Sequence, residues 1–220
     1  SVAGSQSIRD AWQEGTTGSL QNPAPGYGTH ITGGTQANGF DQTQTNNPSI
    51  RIFDQPQFSF TSTPLAATNL PLNNQPGYFV LVRGDRSTDL TTNTPPSTAT
   101  VLRSRGPIKS CAQTFPTLVG GCNLVNNPYP SSIDFSLLTR TNIPNRFFLW
   151  DPYLNTVGGY QTFDADNGWV PTPGGGSYGN TPNSIIQAGQ AFFVQGTIAN
   201  GSLVIDENAK LAALLEAWNK

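Results

Sequence analysis

Residues 146–163 read RFFLWDPYLNTVGGYQTF, and this stretch decides the fold. An apolar run ends at Trp150-Asp151 and a proline, which cannot continue a strand ladder, so the chain turns there. An aromatic segment of strand length follows the turn. Residues 49–60, SIRIFDQPQFSF, repeat the arrangement around Phe53-Asp54 and the next proline. The two stretches therefore predict that the same β-meander begins at two places in the chain.

The repeat continues further along the chain. Residues 73–84, NNQPGYFVLVRG, correspond to residues 185–196, IIQAGQAFFVQG, with turn glycines at Gly77 and Gly189. The nearly continuous apolar run after each glycine is typical of a central strand that is covered on both faces.

The match also extends upstream of the meanders. Ser7-Ile8 corresponds to Ser132-Ile133. Both positions predict a short helix in which the serine caps the first turn.

Together these patterns predict an all-β, β-sandwich-like fold with short helices. The predicted organisation is a first β-subdomain at residues 1–106, a related second β-subdomain at 107–210 and a helical tail at 211–220. Each subdomain is expected to be a meander.

The first subdomain lacks a counterpart for one strand of the second. An apolar strand at residues 122–125 precedes Ser132-Ile133, whereas the chain begins at Ser1, where the equivalent strand would end. Two explanations remain open. The strand was trimmed from the sequence, or a strand from a neighbouring chain fills the gap, because an unfilled edge exposes backbone donors and apolar surface.

The last ten residues, LAALLEAWNK, depart from the repeat. Leu211, Leu214, Leu215 and Trp218 recur at helical spacing among strong helix formers. A helix this short must pack on something. Packing within the chain, docking onto a neighbouring subunit and an appended linker are the three interpretations.

Composition excludes several classes of function. Charged residues are 11% of the chain and the net charge is −2, with no basic run, so nucleic acid is not expected as a partner. No apolar run approaches the length of a membrane span. Aromatic residues reach 10% and are spread throughout, which favours a folded chain over a disordered one.

The two cysteines, Cys111 and Cys122, enclose a short loop. A metal or redox pair would require closer spacing or histidine partners. The spacing therefore predicts a disulfide that closes a hairpin-like connection, and with it an oxidising, extracellular location.

The order of these motifs resembles a region found in Bacteroidota cell-surface, adhesin-type proteins that are exported by the type IX secretion system. The similarity is carried by CNLVNNPYPSSIDFSLL, FFLWDPYLNTVGGYQTFD and IIQAGQAFFVQG in the second half, and by SIRDAWQEG, PGYGTHITGG and PGYFVLVRGDRS in the first. It covers residues 1 to about 210 and implies an extracellular structural or adhesive role without catalytic residues. The sorting signal of that family is not recognisable here.

Catalytic patterns are weak. The single histidine, His30, excludes a multi-histidine metal site, and no G-x-S-x-G nucleophile elbow is present. A hydrolase would have to use His30, which we interpret instead as a strand residue with local hydrogen bonds. We expect no enzymatic activity and no cofactor.

Two short motifs have a functional and a structural interpretation. Asp164, Asp166 and Asn167 match the start of a calcium loop but lack its distal glutamate, and Asx-turn chemistry explains the same letters. Arg83-Gly84-Asp85 spells an integrin-binding tripeptide, which we interpret as a turn whose charges face solvent.

Four aromatic residues next to turns, Tyr153, Tyr160, Trp169 and Tyr178, are candidates for stacking against a glycan. The sequence thus favours an extracellular structural or adhesive module. Its expected partners are copies of itself or neighbouring modules of one surface assembly, such as a filament or surface layer. The alternative is a carbohydrate-binding β-sandwich module that takes a polysaccharide.

Overall fold

The computed structural model describes residues 6–16, 18, 20–61, 65–72, 76–92 and 98–211. Its contacts divide the chain into two units. The first unit comprises Val2–Asp54 and Ser59–Pro107, and the second comprises Gln55–Phe58 and Ile108–Lys220.

The first unit is built around one small antiparallel sheet. Helix α1 (Ile8–Trp12) precedes strands β1 (Ile50–Asp54), β2 (Ser59–Phe60) and β3 (Tyr78–Val80), and a 3-10 helix spans Gln36–Asn38. The strand order is β2-β1-β3. Its core consists of Ile8, Ile31, Phe40, Ile50 and Leu65, with half-buried apolar side chains packed around them.

The second unit contains two larger sheets and one short pair. Its strands are β4 (Gln113–Thr117), β5 (Cys122–Asn126), β6 (Ile133–Asp134), β7 (Thr139–Thr141), β8 (Arg146–Asp151), β9 (Gly159–Asp164), β10 (Ile185–Ile186), β11 (Ala191–Gln195) and β12 (Gly201–Ile205). 3-10 helices span Phe135–Leu137, Ala165–Asn167 and Glu207–Ala209. The sheet orders are β5-β11-β8-β9 and β4-β12-β7, and β10 pairs with β6.

The second unit is a sandwich because both of its sheets contribute to one core. Side chains alternate between faces along β8, so Phe147 and Leu149 are buried while Trp150 lies on the other face of the sheet. Phe192 from β11 and Leu203 from β12 join Phe147 in a single cluster. Aromatic rings fill much of it, with Phe147 stacked on Phe163 at 5.0 Å between ring centroids. The prediction of an all-β, sandwich-like fold is confirmed.

The two units share an order of strands. In each, a strand that ends in aromatic–Asp pairs with the strand after it, and a third strand pairs on its other side: β2-β1-β3 and β9-β8-β11. A meander would place the third strand beside the second, so the order differs from the predicted meander. The connections before β3 and β11 are long enough for the chain to cross back to the first strand of each set.

The short helices differ in their caps. Ser7 caps α1 as predicted, since its hydroxyl accepts a hydrogen bond from the Asp10 N–H at 3.1 Å. In the second unit the residues after Ser132 form strand β6, and the 3-10 helix that follows is capped by Asp134. The serine cap predicted there is wrong because Ile133 pairs with Ile186 and holds the backbone extended.

The predicted disulfide between Cys111 and Cys122 is not formed, and both cysteines are free thiols. Cys111 precedes β4, while Cys122 begins β5 beyond the turn at the other end of β4. Five strand residues span about 16 Å, whereas a disulfide needs Cα atoms within about 7 Å. The length of β4 therefore separates the pair that the sequence spacing suggested.

The predicted helical tail falls almost wholly outside the described residues. Leu214, Leu215 and Trp218 lie outside them. Leu211 is described: it is partly exposed, and its N–H donates to the Ser132 carbonyl at 2.9 Å.

The two thiols are expected to react at different rates. Cys111 is exposed, whereas Cys122 is half-buried and burial raises its pKa, which leaves less of the reactive thiolate. Titration with a thiol reagent should give one fast and one slow phase, and Cys111→Ser should remove the fast phase. A protein that shows no free thiol when unfolded without reductant would contradict this account.

Candidate functional site

The edge of β3 in the first unit is the position at which the two repeats differ. In the second unit β5 pairs with β11 along five residues, Cys122–Asn126 against Ala191–Gln195. The corresponding strand β3 pairs with β1, and no described strand pairs with its other edge. Its sequence predicted a central strand, and in the described part of the first unit it is an edge strand.

The register fixes which backbone groups face that edge. The Leu81 N–H donates to the Ser49 carbonyl at 2.7 Å, so residue 81 points its backbone groups toward β1. Because these groups alternate along a strand, those of Tyr78 and Val80 point away from β1. Leu81 and Val82, which follow β3, are 50% and 40% exposed. The edge thus combines backbone hydrogen-bonding groups with neighbouring apolar surface.

Edges in the second unit carry protecting features. The side-chain amide of Gln55, which belongs to this unit, accepts from the Leu124 N–H of β5 at 3.0 Å and donates to the Asn123 amide oxygen at 2.8 Å. At the opposite edge Thr162 of β9 exchanges two backbone hydrogen bonds of 2.9 Å with Thr172. Strand β4 contains Pro116, which has no N–H that could donate to a strand of another chain.

A buried ion pair holds the loops of the first unit together. The Arg86 guanidinium contacts both carboxylate oxygens of Asp41, at 2.8 and 2.9 Å, and both side chains are fully buried. Its remaining N–H groups donate to three carbonyls, those of Gly18, Gln21 and Thr29. All five donors of Arg86 therefore have partners, which a buried guanidinium requires.

Asp41 collects further donors. The Ile31 N–H and the Gln13 amide each donate to Asp41 Oδ2 at 2.9 Å. Burial alone would raise the pKa of Asp41, but interactions with His30, Arg86 and Gln13 outweigh it and hold that pKa below its ordinary value. The carboxylate is thus charged throughout the neutral and mildly acidic range.

His30 lies in this cluster and not in an open active site. Its ring is buried, and Nδ1 is 3.6 Å from Asp41 Oδ2, which is longer than a hydrogen bond. Neither ring nitrogen has a hydrogen-bond partner. The local hydrogen bonds predicted for the ring of His30 are therefore absent.

The turn predicted at Arg83-Gly84-Asp85 lies further along the chain, at Asp85–Thr88, where the Thr88 N–H donates to the Asp85 carbonyl at 3.2 Å, and the charge of Asp85 does not face solvent as predicted. Asp85 accepts hydrogen bonds from the Ser87 hydroxyl and, at 2.7 Å, from the Gly26 N–H, and these hold its pKa at about 2. Gly84 has a φ of 133°, a conformation that favours glycine. The carboxylate that an integrin would read is used inside the fold.

The candidate calcium residues are engaged in local contacts. Asp164 caps the helix Ala165–Asn167 by accepting from the Asp166 N–H at 3.0 Å, and its other oxygen pairs with Arg146 at 3.0 Å. The Asn167 amide donates to the Val170 carbonyl. This geometry agrees with the Asx-turn interpretation. Among the described residues, no three or more histidine, cysteine or acidic side chains come close enough together to hold a metal ion.

The four candidate glycan-stacking rings do not share a surface. Trp169 and Tyr178 pack on the core of the second unit, Trp169 against Phe135. Tyr160 lies on the other face of the four-stranded sheet with its ring 5.0 Å from that of Trp150, and burial raises the pKa of Tyr160 to about 12. Tyr153 is 77% exposed. A platform of these four rings is therefore a wrong prediction.

Comparisons with known families, curated proteins and solved structures find no match to this chain. In the part of the chain that the structure describes, no helix is long and apolar enough to cross a membrane. The resemblance to surface proteins thus rests on the quoted motifs.

Sequence reasoning missed the Asp41–Arg86 pair. The two residues are 45 positions apart in segments without regular secondary structure, so no spacing pattern connects them. The one available signal is the low charge of the chain, which makes each buried charge in a loop unusual.

Replacing Asp41 by asparagine should destabilise the first unit by about 3–5 kcal/mol, because Arg86 would be left buried without its counter-charge. The pKa of Asp41 is lower in the folded chain, so its contribution is present at neutral pH and is lost as pH falls below its ordinary value of 3.8. Urea unfolding at pH 7 and at pH 3 measures both effects.

The exposed Asp166 supplies the matched control, since Asp166→Asn removes the same charge from the surface of the 3-10 helix Ala165–Asn167. We expect it to change the free energy of unfolding by less than about 0.5 kcal/mol. Equal stability of Asp41→Asn and the wild type at pH 7 would show that the buried pair is not needed.

Proposed function

We propose that this chain is an extracellular structural module whose first unit accepts a β-strand from a neighbouring copy, which makes it a subunit of a filament or surface layer. The observation that carries the proposal is the edge of β3 beside which no described strand lies. In the second unit the equivalent edge of β11 is covered by β5. The repeat thus indicates both that a strand fits beside β3 and what pattern that strand has.

The chemistry of the edge supports strand addition. The backbone groups of Tyr78 and Val80 can form main-chain hydrogen bonds, which supply affinity in this mode of recognition. On the core face, the side chains of Tyr78 and Val80 pack half-buried against the first unit's core. An added strand would extend this apolar face by one row of side chains.

The filler strand should resemble β5, in which Leu124 and Val125 are buried and the flanking asparagines are polar. Another copy of this protein is the simplest source of the strand, because each copy that has an open edge also brings a possible donor. Repetition of the contact from copy to copy would generate an open, head-to-tail assembly.

The extracellular location rests on composition and on the resemblance to Bacteroidota surface proteins exported by the type IX secretion system. The chain is rich in glycine, proline and uncharged polar residues. The free thiols remove the argument from a disulfide, so the cysteines no longer favour an oxidising compartment.

A non-catalytic role is supported by the placement of His30. Its ring is buried beside Asp41, whose oxygens are already bonded to Arg86, Gln13 and the Ile31 N–H. A hydrolase that used this histidine would need it to reach a substrate. The remaining alternative, a carbohydrate-binding module, loses the support of the four rings.

The proposal predicts that a peptide with the sequence of residues 120–128, with serine in place of Cys122, binds the protein. Val80→Pro should weaken binding about tenfold, since proline removes an N–H that faces the open edge and leaves the β1 ladder intact. Fluorescence anisotropy of the labelled peptide measures the affinity.

The matched control is Val80→Ala, which loses the same side-chain packing and keeps the N–H. Val80→Ala should therefore bind the peptide about ten times more tightly than Val80→Pro does. Light scattering on the purified chain reports assembly in parallel. A chain that stays monomeric at high concentration and does not bind the peptide would refute the proposal.

A further inference from the structure

A positive charge without a partner lies just beyond the end of strand β3. Arg83 follows β3 by three residues, after the exposed Leu81 and Val82. Its Nη1 atom is buried and has no hydrogen-bond partner, and no carboxylate in the described part of the chain forms an ion pair with it. Burial lowers the pKa of Arg83 below its ordinary value, because no negative charge offsets the lost hydration.

The acid nearest to Arg83 in the sequence does not neutralise it. Asp85 lies two residues further on, and its carboxylate accepts hydrogen bonds from the Ser87 hydroxyl and the Gly26 N–H. Arg83 as a whole is half-buried, and its Nε and Nη2 atoms are not sealed from solvent, so a group from outside the unit can reach them. A half-buried guanidinium is unfavourable without a counter-charge, and a carboxylate that arrives there would supply one.

The repeat indicates which end of an added strand lies beside Arg83. In the second unit β5 runs antiparallel to β11, so Cys122 at the start of β5 lies opposite Gln195 at the end of β11. A strand that is added to β3 in the same direction starts where β3 ends. Its first residues would therefore lie next to Arg83, and its last residues would lie near Tyr78, where β3 begins.

We propose that the strand added to the first unit begins with an acidic residue that pairs with Arg83. This inference rests on the proposed function and specifies the partner of that same edge. Aspartate and glutamate are the side chains that match a guanidinium in charge, and their carboxylates can accept two parallel hydrogen bonds from it. Apolar residues should follow the acid, because Leu81 and Val82 expose apolar surface between Arg83 and β3.

Two peptides of identical composition test the position of the acid. Both contain residues 121–127 with serine in place of Cys122, and both have blocked termini. One carries glutamate before this segment and glycine after it, and the other carries glycine before it and glutamate after it. Fluorescence anisotropy with the full chain should show about tenfold tighter binding of the peptide with the acid first. Added salt should reduce the difference, because it screens a partly exposed ion pair.

Variants of the protein locate the charge that reads the acid. Arg83→Gln should remove the difference by weakening only the peptide with the acid first. Arg83→Glu should reverse the preference, so that lysine in the first position binds more tightly than glutamate. Arg105→Gln is the matched control, since it removes the same charge from an exposed residue outside β3, and it should keep the tenfold difference. Thermal unfolding establishes that each variant is folded.

The outcomes separate this inference from the proposed function. Equal binding of the two peptides to the wild type, tighter binding of the peptide with the acid last, or a difference that survives Arg83→Gln would overturn the pairing with Arg83. Strand addition would stand in each of these cases. If neither peptide binds, and the serine-containing peptide of residues 120–128 does not bind either, strand addition fails and the pairing fails with it.

Discussion

Backbone N–H and C=O groups at the margin of a β-sheet need partners, and the two units meet this requirement in different ways. In the second unit a paired strand and a side-chain amide supply such partners at the edges described above. The proline in β4 instead removes one of the N–H groups that would need a partner. In the first unit the same order of three strands leaves one margin of β3 without a described strand. The proposed function follows from this difference, because a strand from another chain satisfies the same groups that β5 satisfies within its own unit.

The first unit compensates for its small sheet with a buried charge network. Most of its described residues lie in irregular loops, which offer few ladder hydrogen bonds. The Arg86 side chain supplies hydrogen bonds in their place. It donates to the carbonyls of Gly18, Gln21 and Thr29 and to the carboxylate of Asp41. A planar, fixed fork of donors specifies the positions of the loops more closely than apolar contacts could.

Local chemistry made much of the fold predictable. The aromatic–Asp–Pro turns, the turn at Gly189 and the Ser7 cap are short-range signals, and each lies where the sequence indicated. The all-β class follows from them. Turn positions are encoded within a few residues, so they can be inferred from a single sequence.

Long-range geometry accounts for what was missed. Which side chains of β8 face the core depends on the parity of the strand, and the run RFFLW carries large apolar side chains at both parities. The separation of Cys111 from Cys122 depends on β4 being fully extended. The burial of Trp169 and Tyr178 depends on the sheet against which their loops fold, and the Asp41–Arg86 pair joins distant loops. None of these relations leaves a local pattern.

Hydrogen exchange at β3 tests the central claim most directly. In the isolated chain the Val80 amide should exchange rapidly, while the Leu81 amide, bonded to the Ser49 carbonyl, should be protected. In assembled material the Val80 amide should become as slow as its neighbour. Strong protection of Val80 in a verified monomer would mean that this edge is already satisfied, and strand addition in trans would be excluded.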